Sequence, residues 1–410
     1  MSDQVPDGWG KKSVKDLGTV ITGTTPSTKH EYFWGGSIPF ISPSDFKSTV
    51  YVRTTQRTVT EEGASQGRLL PEDSVLVTCI GSLGGISMNP IKSITNQQIN
   101  AVVLNEENDP RFCYYLFLHN VDQLIRLAGI TTIPIINKST FEKIKILAPP
   151  LPEQKKIASI LTSVDNVIEK TEAHINKLQD LKKGMMTELL TKGINHTEFK
   201  DGPVGRIPKS WEVKPLSSLV SPDRPITYGI VQTGDNISDG IPCVRVVDMT
   251  KQDLIVSEMI RTSLDINNQY KRTILKEGDL IFALRGEIGR VRLITKQLEG
   301  INLTRGIALI SPNKSIAPNF LLWAIRSILV RKQILDNVNG SALQEIPLTN
   351  LRKVLIPIAP SAEQEKIYRV LDGISLAIYC RNAKLDRAKS LKKALMNDLL
   401  TGKKRVSTDN

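Results

Sequence analysis

The stretch LPEQKKIASILTSVDNVIEKTEAHINKLQDLKKGMMTELLTKG, residues 151–193, decides how the rest of the chain is read. Its apolar residues Ile157, Ile160, Leu161, Val164, Val167, Ile168, Ile175, Leu178, Leu181, Met185 and Leu189 recur with a period near 3.5. Charges of both signs fill the other faces. Pro150 and Pro152 set the start, Glu153 places an acid in the first turn, and Gly193 marks the stop. The spacing predicts one helix of about 39 residues, roughly 58 Å long at about 1.5 Å per residue. A helix apolar along one side only needs a partner of equal length.

Residues 361–403, SAEQEKIYRVLDGISLAIYCRNAKLDRAKSLKKALMNDLLTGK, supply that partner and repeat the first text without a gap. Glu153-Gln154 aligns with Glu363-Gln364, Ile157 with Ile367, Leu161 with Leu371, Ile168 with Ile378, and Leu189-Leu190 with Leu399-Leu400. Such a match over the whole helix marks an internal repeat. The expected interface residues are Ile157, Leu161, Val164, Ile168, Ile175 and Leu178 on the first helix, and Ile367, Leu371, Ile374, Ile378, Leu385 and Leu395 on the second. His174 falls on the same stripe and is expected at that interface.

Outward from the helices the repeat continues. Pro6 and Trp9 match Pro208 and Trp211 in the two opening segments. IPFISPSDF (38–46) matches IPCVRVVDM (241–249), LLPEDSVLVTCIGSLGG (69–85) matches ILKEGDLIFALRGEIGR (274–290), and TNQQINAVVL (95–104) matches INLTRGIALI (301–310). RFCYYLFLHN (111–120) and PNFLLWAIRS (318–327) read as short aromatic-rich helices, and each is followed by an Ile-Pro pair, Ile133-Pro134 and Ile346-Pro347. The units are one opening segment, one globular part and one long helix, used twice. The expected boundaries are 1–150 for the first globular part, 151–193 for its helix, 194–211 for a polar linker, 212–350 for the second globular part, and 351–410 for the second helix with a solvated tail. Between the landmarks the globular parts differ, which suggests one scaffold with two recognition surfaces.

Composition excludes several classes. Hydrophobic content of 40% and charged content of 23% are those of an ordinary soluble protein. No apolar run is long enough for a membrane span and no signal peptide is seen, so a cytoplasmic protein without membrane contact is expected. The four cysteines and four histidines are scattered, without metal-ligand spacing, so no metal is expected; three of the thiols sit in apolar runs and read as core residues. The net charge of +12 suggests a polyanionic partner, but it is unevenly placed: residues 1–150 balance 14 cations with 14 acids, while residues 351–410 carry 13 against 6. If the first part binds DNA, its cations must be segregated onto one face.

No catalytic constellation is found. There is no GxxxxGK[ST] motif, GSLGG (81–85) lacks the spacing of a dinucleotide loop, and APPLP (148–152) has no Asn or Asp before its prolines. What remains is hydrogen-bonding loop chemistry. Asn and Gln suit adenine edges, Arg suits guanine, and Thr, Ser and Lys suit phosphates. The candidates are Thr24, Thr25, Ser44, Lys47, Ser82, Asn96, Gln97 and Gln98 in the first part, and Arg245, Arg285, Arg290, Thr304 and Arg305 in the second.

PLPEQKKIA, APSAEQEKI, the helix ends LKKGMMTELLTKG and LKKALMNDLLTGK, and the openings VPDGW and IPKSWE resemble the specificity subunits of type I restriction–modification systems; TGTTPST, TNQQIN and NLTRG resemble that family's recognition motifs. The resemblance implies an α+β fold: two similar globular α/β target recognition domains separated by two long antiparallel helices, a coiled-coil spacer, with pseudo-twofold internal symmetry. It implies a non-catalytic subunit that reads a bipartite double-stranded DNA site. It also implies docking of two methyltransferase (M) subunits and, in the full complex, restriction (R) subunits. S-adenosylmethionine, ATP and Mg would belong to those partners, with no cofactor in this chain. The second helix departs from the pattern, opening from APSAEQ rather than PPLPEQ, which puts its cap in doubt. The residues alone point the same way: two readers on a rigid pair of rods would touch DNA segments on the order of 34 Å apart. The competing readings are a coiled-coil scaffold that only joins proteins and a lone DNA-modifying enzyme. Steep salt dependence of DNA binding argues against the first, and the missing motifs against the second.

Overall fold

The structure, a computed structural model, describes residues 5–47, 49–128, 134–251, 253–340 and 344–407; Ile133 lies outside them. It divides into two compact units, the first comprising Met1–Ala173 with Ala383–Asn410 and the second His174–Asn382.

In the first unit, β1 (Gly10–Ser13) pairs antiparallel with β9 (Lys145–Ala148), closing the domain at its two ends. A four-stranded sheet of β2 (Gly18–Thr22), β5 (Val75–Thr78), β6 (Ile86–Met88) and β8 (Ile99–Leu104) has the order β2-β8-β5-β6. A three-stranded sheet of β3 (Trp34–Ile41), β4 (Arg57–Val59) and β7 (Ile94–Thr95) has the order β4-β3-β7, with β3 and β7 parallel. The continuous apolar run of β5 is buried on both faces, as such a run in a central strand requires. The helix Pro110–His119 starts with Asp109 accepting from Phe112 N at 2.9 Å and carries Phe112, Tyr115 and Phe117 into the core.

The second unit repeats this topology strand for strand. β12 (Glu212–Pro215) pairs with β20 (Leu355–Ile358). β13 (Thr227–Tyr228), β16 (Leu280–Ala283), β17 (Val291–Leu293) and β19 (Ile307–Ile310) form the sheet β13-β19-β16-β17. β14 (Ile241–Val244), β15 (Ile260–Thr262) and β18 (Asn302–Leu303) form β15-β14-β18, again with one parallel pair. Two expected boundaries move. The segment read as a polar linker contains a hairpin, β10 (Phe199–Gly202) with β11 (Gly205–Pro208), turned by Gly205 at φ 103°, and Trp211 after it is fully buried. The expected boundary at residue 351 cuts the helix Leu348–Lys353; the β12–β20 pair keeps the following strand in the domain, and the long helix opens at Ser361.

The long helices span Leu151–Thr191 and Ser361–Leu399, 41 and 39 residues. Each contributes one end to each unit. In the first unit Asp165 pairs with Lys392 at 2.7 Å and Glu172 with Lys389 at 2.8 Å, so rising numbers meet falling ones and the segments run antiparallel. Ile157 and Leu161 enter the same core as Leu399 and Leu400, together with Phe112 and Tyr115. In the second unit Ile367 and Leu371 share a core with Leu189, Leu190 and Trp323. The stripe read as a helix–helix seam therefore holds each helix to its own domain at its first turns. Ile175 is buried, while Val164, Ile168, Leu178, Ile374, Ile378, Leu385 and Leu395 are half-buried. His174 is exposed, because the covered face runs through Thr171, Ile175 and Leu178, and the residue before Ile175 lies about 100° round the helix from it.

The Glu-Gln pair that opens each helix has a physical job. Glu153 accepts from Trp9 Nε1 at 3.2 Å and binds the Arg405 guanidinium through two bonds of 2.8 Å, while Arg405 Nη1 donates to the Asp7 carbonyl at 2.7 Å. Glu363 accepts from Trp211 Nε1 at 3.0 Å and Ile194 N at 2.9 Å, with His196 Nε2 at 2.9 Å. Gln154 accepts from Asp109 N and Gln364 from Ala317 N, both at 2.9 Å, at the starts of the aromatic-rich helices. Each helix start is thus clasped to an opening tryptophan and to the segment leaving the other helix. Gly193 and Gly402 make those exits possible: both have positive φ, 67° and 69°, and a Cβ would lie 2.4 Å from Glu363 Oε1 or from Pro6 Cγ. Arg405, read as part of a solvated tail, is instead locked into the first clasp. The doubted second cap matches the first, with Glu363 N and Gln364 N bonded to the Pro360 carbonyl as Glu153 N and Gln154 N are to Pro150.

Candidate nucleic-acid interface

In the second unit the ends of β14, β16 and β18 open into a cleft of about 760 Å³ lined by Ile230, Val231, Thr233, Arg245, Val246, Val247, Ile260, Arg285, Gly286, Thr304, Arg305, Gly306 and Gln344. Four of the five residues expected there, Arg245, Arg285, Thr304 and Arg305, line it together. Strand pairing brings them into one place: Ile230 N bonds the Leu303 carbonyl at 2.7 Å, and Leu284 N the Gly306 carbonyl at 2.9 Å. The fifth, Arg290, is at the far end of the glycine loop and donates from Nη1 to the Met249 carbonyl at 2.6 Å.

The three guanidiniums of the cleft differ. Arg245 is held by buried Asp248 through bonds of 3.0 and 2.8 Å and donates to the Glu258 carbonyl at 3.1 Å; the Asp248 hydrogen bond pushes its pKa up. Its charge is neutralised and its plane fixed. The Arg285 and Arg305 side chains make no hydrogen bond or ion pair among the described residues, so their donor forks are available in the cleft. Thr304 Oγ1 donates to the Val244 carbonyl at 3.1 Å. Val247 is 53% exposed at the rim, an apolar group of a size to meet a thymine methyl, and nothing in the local sequence marks it.

The first unit presents amides on the same frame. Thr24 N bonds the Thr95 carbonyl at 2.8 Å and Cys79 N the Gln98 carbonyl at 2.8 Å, which places Asn96 where Thr304 stands and Gln97 where Arg305 stands. Thr25 Oγ1 donates to Gln97 Oε1 at 2.7 Å, and Asn96 Nδ2 to Gln98 Oε1 at 2.9 Å. Ser82 is exposed beside Gly81, whose position faces Gln98. Ser44 shares a 2.8 Å hydrogen bond with Ser42, itself held by buried Asp45 as Arg245 is by Asp248. Lys47 is exposed, with its Nζ 3.3 Å from Thr54 Oγ1. Arg57, missed in the sequence, lies 3.4 Å over the Trp34 ring and 5.8 Å over that of Phe40. No local signal marks it, since its strand is brought to Trp34 only by the β3–β4 pairing.

Cys79, Cys113 and Cys243 are buried, and burial pushes the Cys79 and Cys243 thiols up to about 11. Among the described residues no group of three or more His, Cys, Asp or Glu could hold a metal, and no helix is long and apolar enough to cross a membrane.

The family described as Type I restriction modification DNA specificity domain matches the chain twice, over 6–180 and 208–389. The specificity subunits of the type I restriction enzymes MjaIX and MjaVIII of Methanocaldococcus jannaschii are 26% and 27% identical to it. The matches cover 98% and 99% of this chain and 95% of each relative. In structure the chain is similar to the S subunit of the type I restriction–modification system of M. genitalium, with a TM-score of 0.63, 14% identity and 97% of both chains covered. A chain solved in work on complex assembly and conformational transition of the type I R-M system gives a TM-score of 0.55 at 16% identity over 97% of this chain and 99% of that one. With both copies of its repeated unit matched, the chain belongs to the type I restriction modification DNA specificity domain family.

Proposed function

We propose that this chain is the specificity subunit of a type I restriction–modification complex, reading a bipartite double-stranded DNA site with one cleft per half-site. The observation that carries the reading is the pair of polar surfaces on one strand frame, guanidiniums in the second unit where the first has amides. Arg285 and Arg305 suit the O6 and N7 of guanine, and Asn96, Gln97 and Gln98 suit adenine. Ser44, Lys47, Ser82, Thr24 and Thr25 serve phosphates and sugar edges around the first half-site. The chain itself performs no chemistry. Two M subunits dock on it, with R subunits in the full complex, and those partners bring S-adenosylmethionine, ATP and Mg. The complex works in the cytoplasm, where its DNA is.

Mapping methylated bases in host DNA with and without this chain tests the reading. A split motif that depends on the chain is expected. Arg285→Ala with Arg305→Ala should relax one half of that motif, each missing bidentate pair costing about 1–3 kcal/mol of discrimination. Gln97→Ala with Gln98→Ala should relax only the other half. A motif unaffected by either pair, or changed in both halves by one, refutes the two-reader assignment.

A further inference from the structure

The second unit has another cavity, of about 470 Å³, that shares no lining residue with the cleft. Lys182, Arg290, Arg292, Arg326 and Arg331 line it, two of them over Trp323: Lys182 Nζ is 4.9 Å and the Arg326 guanidinium carbon 5.0 Å from the indole centre. Arg326 donates to the Val291 carbonyl at 2.8 Å, Arg290 to that of Met249 at 2.6 Å, and Arg292 to those of Met249 and Lys251. The Val291 carbonyl orients Arg326 without cancelling its charge. Among the described residues Glu287 is the one acid in the lining, 3.4 Å from Arg290. Asp372, near Lys182, is occupied by Trp323 Nε1 and Asn319 Nδ2, each at 2.8 Å, and forms no ion pair with Lys182. Burial and the neighbouring Arg292 push Arg326 down to about 10.

The first unit is an internal control. Lys392, the repeat equivalent of Lys182, sits 5.4 Å over the Tyr115 ring but is neutralised by Asp165 at 2.7 Å. The strand registers Val77–Ile86 and Phe282–Val291 put Gly85 and Ser87 where the second unit has Arg290 and Arg292. The two helices starting at Pro110 and Pro318 put Leu118 where it has Arg326. On a frame otherwise repeated, three arginines have been added, and Lys182 makes no ion pair among the described residues.

We propose that this pocket holds a phosphodiester group of the DNA backbone flanking the half-site read by the second unit. Five cations lining one cavity outnumber Glu287, Asp372 and Asp253, the acids that act on them, and such an excess of guanidinium and ammonium charge is the chemistry of a phosphate site. The ligand is DNA rather than an acidic peptide because the glycine loop joins pocket and cleft: Arg285 and Gly286 line the cleft and Arg290 the pocket, five residues on, within about 17 Å of chain. The proposal rests on the DNA-reading function above.

The test measures DNA binding by the chain assembled with its modification subunits, on a duplex carrying the methylated motif and on an unrelated duplex, across a salt series. Lys182→Gln with Arg290→Gln, and Arg331→Gln alone at the exposed rim, should weaken both duplexes by the same factor. They should lower the slope of log K against log salt by about 0.9 for each phosphate no longer neutralised, with the methylated motif unchanged. Variants with parental melting temperatures and an unchanged slope overturn the proposal while the cleft assignment stands. Loss of subunit assembly with an unchanged slope also overturns it, and marks the pocket as a protein-docking site. Failure of the parent complex to bind either duplex sinks the DNA reading itself.

Discussion

Replacing Glu363 with alanine removes the hub of the second clasp. Its side chain is 12% exposed and meets Trp211 Nε1, Ile194 N and His196 Nε2 within 3.0 Å. The His196 ring, 23% exposed, can turn to water. The Trp211 indole is fully buried and the Ile194 amide partly so, and both donors lose their acceptor. A buried donor left unsatisfied costs about 1–3 kcal/mol; with the Trp211 indole near the top of that range and the part-buried amide near its foot, the loss is about 4 kcal/mol. With a urea slope of about 2.5 kcal/mol per molar, the unfolding midpoint of this unit should fall by roughly 1.5 M. Urea titration of the full chain followed by tryptophan emission reads it, because Trp211 and Trp323 lie in the same core. Glu363→Gln keeps one acceptor oxygen and should fall between the two. A midpoint for Glu363→Ala within about 0.3 M of the parent would show that the clasp does not hold the unit together.

Three further outcomes follow from the same geometry. Lys392→Ala leaves buried Asp165 with only the Tyr115 hydroxyl and should cost about 3 kcal/mol by thermal or urea unfolding; Lys182→Ala, at the matching position, removes a cation from a repulsive cluster and should leave stability unchanged or raised. Native maleimide labelling at pH 8 should modify Cys380 alone, since Cys79, Cys113 and Cys243 are buried and the raised pKa of each keeps it protonated below that value; more than one label per folded chain contradicts this. Gly402→Ala places a Cβ against Pro6 at a positive φ and should loosen the tail from Trp9, read as faster proteolysis after residue 399.

The repeat and its long helices were legible because both are local properties of the text. Apolar period and aligned landmarks need no knowledge of what lies opposite. The cleft was legible in part for the same reason: Arg245, Arg285, Thr304 and Arg305 all sit at strand ends next to turn residues, where a strand frame leaves side chains exposed. Arg57 was not, because its aromatic partner lies on another strand. Arg285 and Arg290 are both expected at DNA from the sequence, but they stand at the two ends of one glycine loop, which directs them to different cavities.

The sequence by itself determined that the chain is one unit used twice, that each copy ends in a helix of about 60 Å, and that the two globular parts carry different polar loops. Tertiary structure decided which side chains those loops bring together, that each unit takes one end from both helices, and that the Glu-Gln pairs are clasps rather than mere repeat markers. The division follows from range. Helical period and repeat are written within tens of residues. The partners Glu153 and Arg405, or Arg285 and Arg305, meet only once strand register and helix direction are set by the packing of the whole core.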